Sequence, residues 1–210
     1  MMAYQIIPVT PFQQNCTLIW CDKSKQAAIV DPGGDPQLIQ AAVEKAGVEV
    51  TKILLTHGHL DHVGASSIIQ QRYQVPLIGP HKDDDFWISK MAMQCQMFGF
   101  PEVASFTPDR WLEHGEVIEV GELKLEVRHC PGHTPGHVVF VDHDNQLAIV
   151  GDVLFNGSIG RTDFPKGDHP TLINAIKTQL YTLDDAYQFL PGHGPMSSIG
   201  HEKEFNGYTR

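Results

Sequence analysis

Apolar and polar positions follow two periods in turn along the first half of the chain. Short runs rich in β-branched residues alternate with stretches in which apolar residues recur every three or four positions, as on one face of a helix. The strands predicted there are residues 4–9, 16–21, 27–30, 52–56 and 75–78. The predicted helices are residues 38–46, 63–73 and 82–100.

The second half begins again with strands. Runs at 117–120, 123–129, 137–141 and 147–150 are separated by Gly, Asp and Asn, which is typical of antiparallel hairpins. A helix over 170–181, a strand over 187–190 and a short closing helix complete the pattern. Two successive halves of this kind indicate an α/β chain with two sheets and helices on the outer faces. We therefore predict an αβ/βα sandwich that forms one domain over residues 1–210.

The predicted helix over 82–100 has two features with simple structural interpretations. Its methionines are spaced as gap-filling core residues, although they could also form a binding stripe; they are Met91, Met93 and Met97. Its aspartates are typical of a solvated helix start, where carboxylates are favoured by the helix dipole; they are Asp83, Asp84 and Asp85.

Charge and cysteine content narrow the class of function. Fifteen Lys and Arg against 25 Asp and Glu give a net charge of −10, which argues against a basic nucleic-acid surface and against adhesion to anionic lipid. The four cysteines form no CxxC pair, and the N-terminus has no basic and then apolar signal pattern. Apolar runs are also too short to span a bilayer. We expect a monomeric cytoplasmic protein with reduced thiols that acts on a small molecule.

Twelve histidines stand out in the composition, and four potential metal ligands lie in one short segment. The segment THGHLDH places His57, His59, Asp61 and His62 between a predicted strand and a predicted helix. On such a turn the four side chains can surround one point. Imidazole together with carboxylate suits zinc, iron or manganese, and the absence of paired thiolates argues against a structural cysteine site.

Three further fragments each end or follow a predicted strand with a ligand-type residue. They are CPGHTPGH with His133, IVGD with Asp152 and LPGHG with His193. Open α/β sheets place their sites at the carboxyl ends of strands. A single strand-end histidine is more often structural, but several of them together with THGHLDH predict a metal site.

The fragments also resemble a known family. THGHLDH, His133, Asp152 and His193, in that order, resemble the metallo-β-lactamase superfamily. CPGHTPGH, GDVLFNGSIGRTD and LPGHGP are similar, more narrowly, to the short type II glyoxalase II enzymes, which are hydroxyacylglutathione hydrolases. The resemblance extends from residue 4 to about residue 204. It implies a four-layer sandwich of two mixed sheets with helices on the outer faces.

By position, the resemblance implies two divalent metal ions, with zinc preferred over iron or manganese. One ion would be held by His57, His59 and His133, the other by Asp61, His62 and His193, and Asp152 would bridge them. A water molecule between two such ions loses a proton near neutral pH, so the site supplies its own hydroxide nucleophile. Asp61 is the predicted catalytic residue, because its carboxylate would orient that hydroxide.

The predicted reaction is the hydrolysis of S-D-lactoylglutathione to D-lactate and glutathione. The main alternative is a persulfide dioxygenase, which the chain also resembles and which would use a single iron on His57, His133 and Asp152 with room for O₂. A lactonase, a nuclease and a non-enzymatic metal-binding module are weaker alternatives, and the acidic surface argues against the nuclease.

Other residues have secondary interpretations. Asp31 either orients the histidine loop or forms a turn, and His137 is expected to lie behind His133. Cys130 is predicted to be a buried small residue, with an approach to the metals as the weaker interpretation. Arg161 is expected to pair with Asp163, with substrate contact as the weaker interpretation. Five other histidines, which lie in predicted loops or at element ends, are given no chemical role; they are His81, His114, His143, His169 and His201.

Substrate anchoring differs from the larger glyoxalase II enzymes, in which a C-terminal helical domain helps to bind glutathione. Only sixteen residues follow Gly194, so we expect that domain to be absent. Residues 82–110, which are rich in Met, Phe and Trp, are predicted to form a substitute wall of the site.

Overall fold

A computed structural model describes all 210 residues and divides most strands between two mixed sheets. The first sheet has the order β1-β2-β3-β4-β5. Its strands are Met2–Val9, Gln14–Cys21, Gln26–Val30, Glu49–Leu54 and Leu77–Ile78. Strands β1 to β3 pair antiparallel, whereas β3, β4 and β5 pair parallel.

The second sheet has the order β13-β12-β9-β8-β7-β6. Its strands are, in chain order, β6 (Val117–Val120), β7 (Leu123–His129), β8 (Val138–Asp142), β9 (Leu147–Gly151), β12 (Gln188–Pro191) and β13 (Ser197–Ser198). The strands from β6 to β9 form the expected antiparallel series, and β12 joins β9 in parallel. A small separate hairpin consists of β10 (Leu154–Phe155) and β11 (Ser158–Ile159).

The helices are short and flank the two sheets. They are α1 (Pro36–Ala46), α2 (Leu60–Val63), α3 (Ser66–Tyr73), α4 (Asp85–Ile88), α5 (Met91–Phe98), α6 (His169–Ala175) and α7 (Ile199–Phe205). A 3₁₀ turn over Lys82–Asp84 precedes α4, and a π-helical turn over Ile176–Leu180 continues α6. None of these helices has the length and apolar character that a membrane crossing requires.

Successive side chains of the central strands point to opposite faces of each sheet and so contribute to three apolar layers. In β3, Ala27 and Ile29 pack toward α1 and α3, whereas Ala28 and Val30 face the second sheet. In β8, Phe140 faces the first sheet, and its neighbours on the strand pack against α6 and its π-helical continuation. Because successive side chains of a strand point to opposite faces, both sheets are covered on both sides. The predicted αβ/βα sandwich of two mixed sheets is confirmed.

Two predicted helices are interrupted. The one over 63–73 shares only Val63 with α2 and continues as α3 from Ser66. Gly64 lies at the junction, where a Cβ would be 2.7 Å from the carbonyl oxygen of Gly33. The close approach of two backbones therefore requires glycine there. The helix over 82–100 is divided at Ser89 and Lys90. The short strands β10, β11 and β13 were not predicted, since runs of two residues carry almost no periodic signal.

Two interpretations of the 82–100 segment are wrong in part. Asp84 is fully buried rather than solvated, in contrast to the exposed Asp83. Met91 is a core residue as expected, but Met97 is 48% exposed and contributes to no core.

Candidate metal centre

Parallel strand pairs bring the predicted ligands to one edge of each sheet. Val30 of β3 pairs with Leu54 of β4, so Asp31 and the THGHLDH segment emerge side by side. Ile149 of β9 pairs with Leu190 of β12, so the residues after these two strands, including Asp152 and His193, also lie together. Neighbouring parallel strands end at the same sheet edge, which explains why residues distant in sequence converge.

The first predicted ligand group is compact and buried. The ligand atoms of His57, His59 and His133 lie within 4.8 Å of one another. His59 Nδ1 and His133 Nε2 are 2.9 Å apart. The exposed fractions of the three residues are only 0%, 4% and 2%, respectively, so water reaches this group poorly.

The second predicted group lies beside the first and is more open. Asp61, His62 and His193 also have ligand atoms within 4.8 Å. His193 Nε2 lies 3.2 Å from Asp61 Oδ2, and the His193 side chain is 29% exposed.

Asp152 lies between the two groups. Its Oδ1 is 3.3 Å from His62 Nε2, and its Oδ2 is 3.6 Å from both His133 Nε2 and His193 Nε2. The Asp152 carboxylate is therefore close to predicted ligand residues of both groups. The structure thus places all seven predicted residues in one cluster.

Each of four histidines in the cluster has its Nδ1 next to an oxygen atom outside the cluster centre. The pairs are His57 with Thr56 Oγ1 at 3.0 Å, His62 with Asp31 Oδ2 at 2.9 Å, His133 with the Arg161 carbonyl oxygen at 2.7 Å, and His193 with the Phe12 carbonyl oxygen at 3.2 Å. A hydrogen bond at one ring nitrogen fixes the orientation of the ring and leaves the other nitrogen free to bind a metal.

Two of the nitrogens that remain free are buried and have no hydrogen-bond partner. These are Nε2 of His57 and of His62, and Asp152 Oδ1 shares this property. An unpaired buried polar atom is costly, so each such atom needs an explanation. Imidazole and carboxylate are suitable donors for divalent zinc, iron and manganese. The unpaired atoms of this cluster therefore fit bound divalent ions.

The charges of the two groups differ. Burial, reinforced by the neighbouring imidazoles, lowers the pKa of His57 and of His59, so these rings are neutral and in the form that ligates metals. Burial also opposes protonation of His62, but Asp152 and Asp61 outweigh it and raise the pKa of His62 well above its usual value. The carboxylates of the second group therefore favour a positive charge beside them, whether a proton on His62 or a divalent cation.

The interpretations of Asp31 and His137 can be compared with the geometry. Asp31 accepts hydrogen bonds from the backbone N–H and the hydroxyl of Thr56 at 2.7 and 2.6 Å, in addition to its contact with His62. This contact supports the interpretation that Asp31 orients the histidine loop. His137 stacks on His57 at 4.6 Å and accepts a hydrogen bond from the Asp152 backbone N–H, so it lies behind His57 rather than behind His133.

Cys130 and Arg161 occupy the surroundings that the sequence suggested. Cys130 is fully buried in the layer around α6, and burial raises the pKa of its thiol to about 12. Arg161 makes two hydrogen bonds to the Asp163 carboxylate, at 2.7 and 2.6 Å. Arg161 also lines the cleft above the cluster.

Sequence reasoning missed a buried carboxylate that joins the two loops of the first group. Asp84 accepts hydrogen bonds from the Gly58 N–H at 2.7 Å, the Thr134 hydroxyl at 2.8 Å and the Gly136 N–H at 2.5 Å. Gly58 lies between His57 and His59, and Thr134 follows His133. No sequence signal distinguishes Asp84 from the aspartates on either side of it.

Other missed residues support the backbone around the cluster. Gln94 of α5 accepts a hydrogen bond from the Leu60 N–H and donates to the Gly58 carbonyl. Asn15 of β2 donates to the carbonyl oxygens of Pro191 and Gly194 at 3.0 and 2.9 Å, on either side of His193. These are amides in ordinary strand and helix segments, so their role depends on packing alone.

The two-sheet sandwich and its cluster of imidazoles and carboxylates at strand ends define the class of the protein. Residues 9–193 match the Metallo-beta-lactamase superfamily, and the chain belongs to this superfamily. The resemblance predicted from the motifs is therefore confirmed.

Individual relatives are similar over essentially their whole length. The chain is 46% identical to the hydroxyacylglutathione hydrolase GloC of Haemophilus influenzae, with 99% of this chain and 98% of that protein covered. Among solved structures, the BLEG-1 B3 metallo-beta-lactamase is 32% identical, with a TM-score of 0.92 and 99% of both chains covered. TTHA1623, in a di-iron-bound form, is 32% identical, with a TM-score of 0.89 and coverage of 97% of this chain and 99% of that one.

Proposed function

We propose that the protein is a metal-dependent thioester hydrolase that acts on hydroxyacylglutathione. The observation that carries the proposal is the 46% identity, over nearly the full length of both chains, to a hydroxyacylglutathione hydrolase. In the predicted reaction, water adds to the thioester carbonyl, the C–S bond breaks, and the products are the hydroxy acid and glutathione.

We infer that His57, His59 and His133 hold one divalent ion, that Asp61, His62 and His193 hold a second, and that Asp152 contacts both. The unpaired buried nitrogens of both groups support this assignment. When bound, two divalent ions supply Lewis acidity toward a carbonyl oxygen and lower the pKa of water toward neutrality. Zinc is the proposed metal, and iron and manganese suit the same donors.

The role of the chain itself is to fix the reacting groups in place. Asp31 and Thr56 orient the rings of His62 and His57 from outside the cluster. The partly exposed carboxylate of Asp61 faces the cleft from the second group. We propose that it accepts a hydrogen bond from the attacking water and so orients it toward the carbonyl carbon.

Metal analysis and a thioester hydrolysis assay on the same preparation test the proposal. We expect two ions per chain and hydrolysis of S-D-lactoylglutathione. His193→Ala should reduce the metal content toward one ion, whereas His201→Ala, at an exposed histidine of α7, should leave it at two.

The dioxygenase alternative makes the opposite prediction. A preparation that binds one iron per chain, consumes O₂ with glutathione persulfide and hydrolyses no thioester would overturn the proposal. The second group supports the hydrolase, because one iron on His57, His133 and Asp152 would give no role to the ligand atoms of Asp61, His62 and His193 that lie within 4.8 Å of one another.

The cytoplasmic location, the monomeric state and the single domain over residues 1–210 also stay predictions. Cell fractionation, sedimentation and limited proteolysis, respectively, test them.

A further inference from the structure

The cleft above the ligand cluster has a volume of about 580 Å³ and a strongly aromatic lining. Besides five of the predicted ligands, it is lined by Ser158, Arg161 and five apolar side chains. The apolar side chains are Phe12, Phe98, Phe155, Ile159 and Phe164. They come from the β1–β2 loop, the end of α5, the β10–β11 hairpin and the loop before α6, so no single sequence motif contains them.

Three of the phenylalanines form a continuous band that reaches the ligands. Phe164 lies 5.4 Å from the His59 ring, and Phe98 packs edge to face on Phe164 at 5.7 Å. Phe12 continues the band from Phe98 at 6.1 Å and is 46% exposed. The band, defined here as Phe12, Phe98 and Phe164, therefore extends from the first ligand group to the mouth of the cleft.

The other side of the cleft is also apolar near the ligands. Phe155 of β10 lies 6.2 Å from the His193 ring, and Ile159 of β11 belongs to the same hairpin. A group bound between this hairpin and the band would lose contact with water on two sides.

The cleft offers little to an anionic group apart from the cluster itself. Arg161 is its one lysine or arginine side chain. The guanidinium is already paired with both oxygens of Asp163 and lies 3.9 Å above the Phe164 ring. A glutathione carboxylate bound in the cleft away from the cluster would therefore find no unpaired lysine or arginine side chain there.

We propose that the cleft selects thioesters whose acyl group carries an aromatic or bulky apolar substituent beside the carbonyl, and that Phe98 and Phe164 determine this specificity. The inference rests on the proposed thioester hydrolysis. The carbonyl must lie at the ligands to react, and Phe164 is adjacent to His59, so a substituent one bond from the carbonyl reaches the band. The thiol half of glutathione is polar and charged, and it gains little from such a wall.

The substrate test changes only one group. S-D-lactoylglutathione and S-D-mandeloylglutathione share the thiol and the α-hydroxyl and differ by methyl against phenyl. With the metal-loaded protein, we expect kcat/KM to be at least about tenfold higher for the mandeloyl thioester, because a phenyl ring buries far more apolar surface than a methyl group. Equal values, or a preference for lactoyl, would overturn the inference.

Variants of the band test the residues. Phe98→Ala and Phe164→Ala should each reduce the mandeloyl-to-lactoyl ratio of kcat/KM several-fold, and the double variant should bring it close to one. Phe205→Ala removes a phenylalanine that is 57% exposed on α7, and it should leave the ratio unchanged. Phe98→Leu and Phe164→Leu keep an apolar side chain of similar size and should retain most of the preference, which separates specificity from loss of folding.

A third arm separates the two halves of the substrate. It compares the lactoyl thioester of glutathione with the lactoyl thioester of benzyl mercaptan, in which the aromatic ring is on the thiol half instead of the acyl half. If the benzyl thiol raises kcat/KM and the mandeloyl group does not, the band serves the thiol half and the inference is wrong. Failure to hydrolyse any of these thioesters would instead contradict the proposed function.

Discussion

The two predicted ligand groups lie side by side but have different surroundings. His57, His59 and His133 are almost completely buried, and the pKa of each ring is lowered. In the second group, Asp61 and His193 have side chains that are 19% and 29% exposed. A buried, neutral group favours tight metal binding, whereas a more open group with carboxylates leaves space for water and substrate. We therefore predict that the first group would bind an ion more tightly and that the second would take part in the proposed reaction.

Substitution of Asp152, which lies between the two groups, should have the largest effect on hydrolysis, because this carboxylate is close to both groups. Asp152→Asn keeps the shape of the side chain and removes its charge. We expect a loss of kcat/KM on the order of 10³, which corresponds to several kcal/mol of transition-state stabilisation. Steady-state hydrolysis and metal content measure it, with Asp144→Asn in an exposed turn as the control. Retention of full activity with two ions bound would contradict the bridging role.

Asp84 provides a test of the first group that does not depend on catalysis. Burial raises the pKa of this carboxyl to about 6 in spite of the hydrogen bonds from Thr134, Gly136 and Gly58 that oppose it. Between pH 4 and 6, folded Asp84 holds a proton that the unfolded chain has released. Its contribution to the free energy of unfolding is therefore greatest at low pH and is lost as pH rises through 6.

The measurement is the difference in free energy of unfolding between the wild type and Asp84→Asn from pH 4 to 8. It should move against the wild type by up to about 3 kcal/mol as pH rises, since one pKa unit corresponds to 1.36 kcal/mol. The histidines of the cluster titrate in both proteins, so their contribution cancels in the difference. A difference that does not vary with pH would show that burial does not perturb Asp84.

Asp61 tests the catalytic side of the comparison. Asp61→Asn keeps the side-chain volume but weakens its charge and basicity. We expect kcat to fall on the order of 10² or more at full metal occupancy, the lower end of a general acid–base role. Asp22→Asn, at a carboxylate whose side chain is 50% exposed, is the matched control. Turnover close to that of the wild type would limit Asp61 to metal binding.

Asn15 should give the smallest effect, confined to the second group. Asn15→Ala removes the two hydrogen bonds that hold the backbone on either side of His193. We expect metal affinity at one of the two sites to fall about tenfold, the lower range for a residue that supports a ligand from outside. Titration with a chelator measures both sites. An equal loss at both sites would contradict the separation of the two groups.

Local sequence was sufficient to predict most strands and to identify the seven residues that the structure brings into one cluster. The strands β3, β8 and β9 are nearly continuous apolar runs, because each of them is buried on both faces. THGHLDH, His133, Asp152 and His193 each follow or end a predicted strand, and that position is a local property. Neighbouring parallel strands then bring these residues together, as Val30 with Leu54 and Ile149 with Leu190 show.

Contacts between distant segments decided the rest. Asp83, Asp84 and Asp85 are three consecutive aspartates that the sequence does not distinguish. Only packing against Gly58 and Gly136 makes Asp84 a buried hydrogen-bond acceptor. The aromatic band likewise depends on Phe12, Phe98 and Phe164 meeting from three separate segments. A residue pattern specifies periodicity and side-chain chemistry within a few turns. Burial and the choice of partner depend on long-range packing, so the tertiary structure alone determined the support of the ligand loops and the apolar character of the cleft.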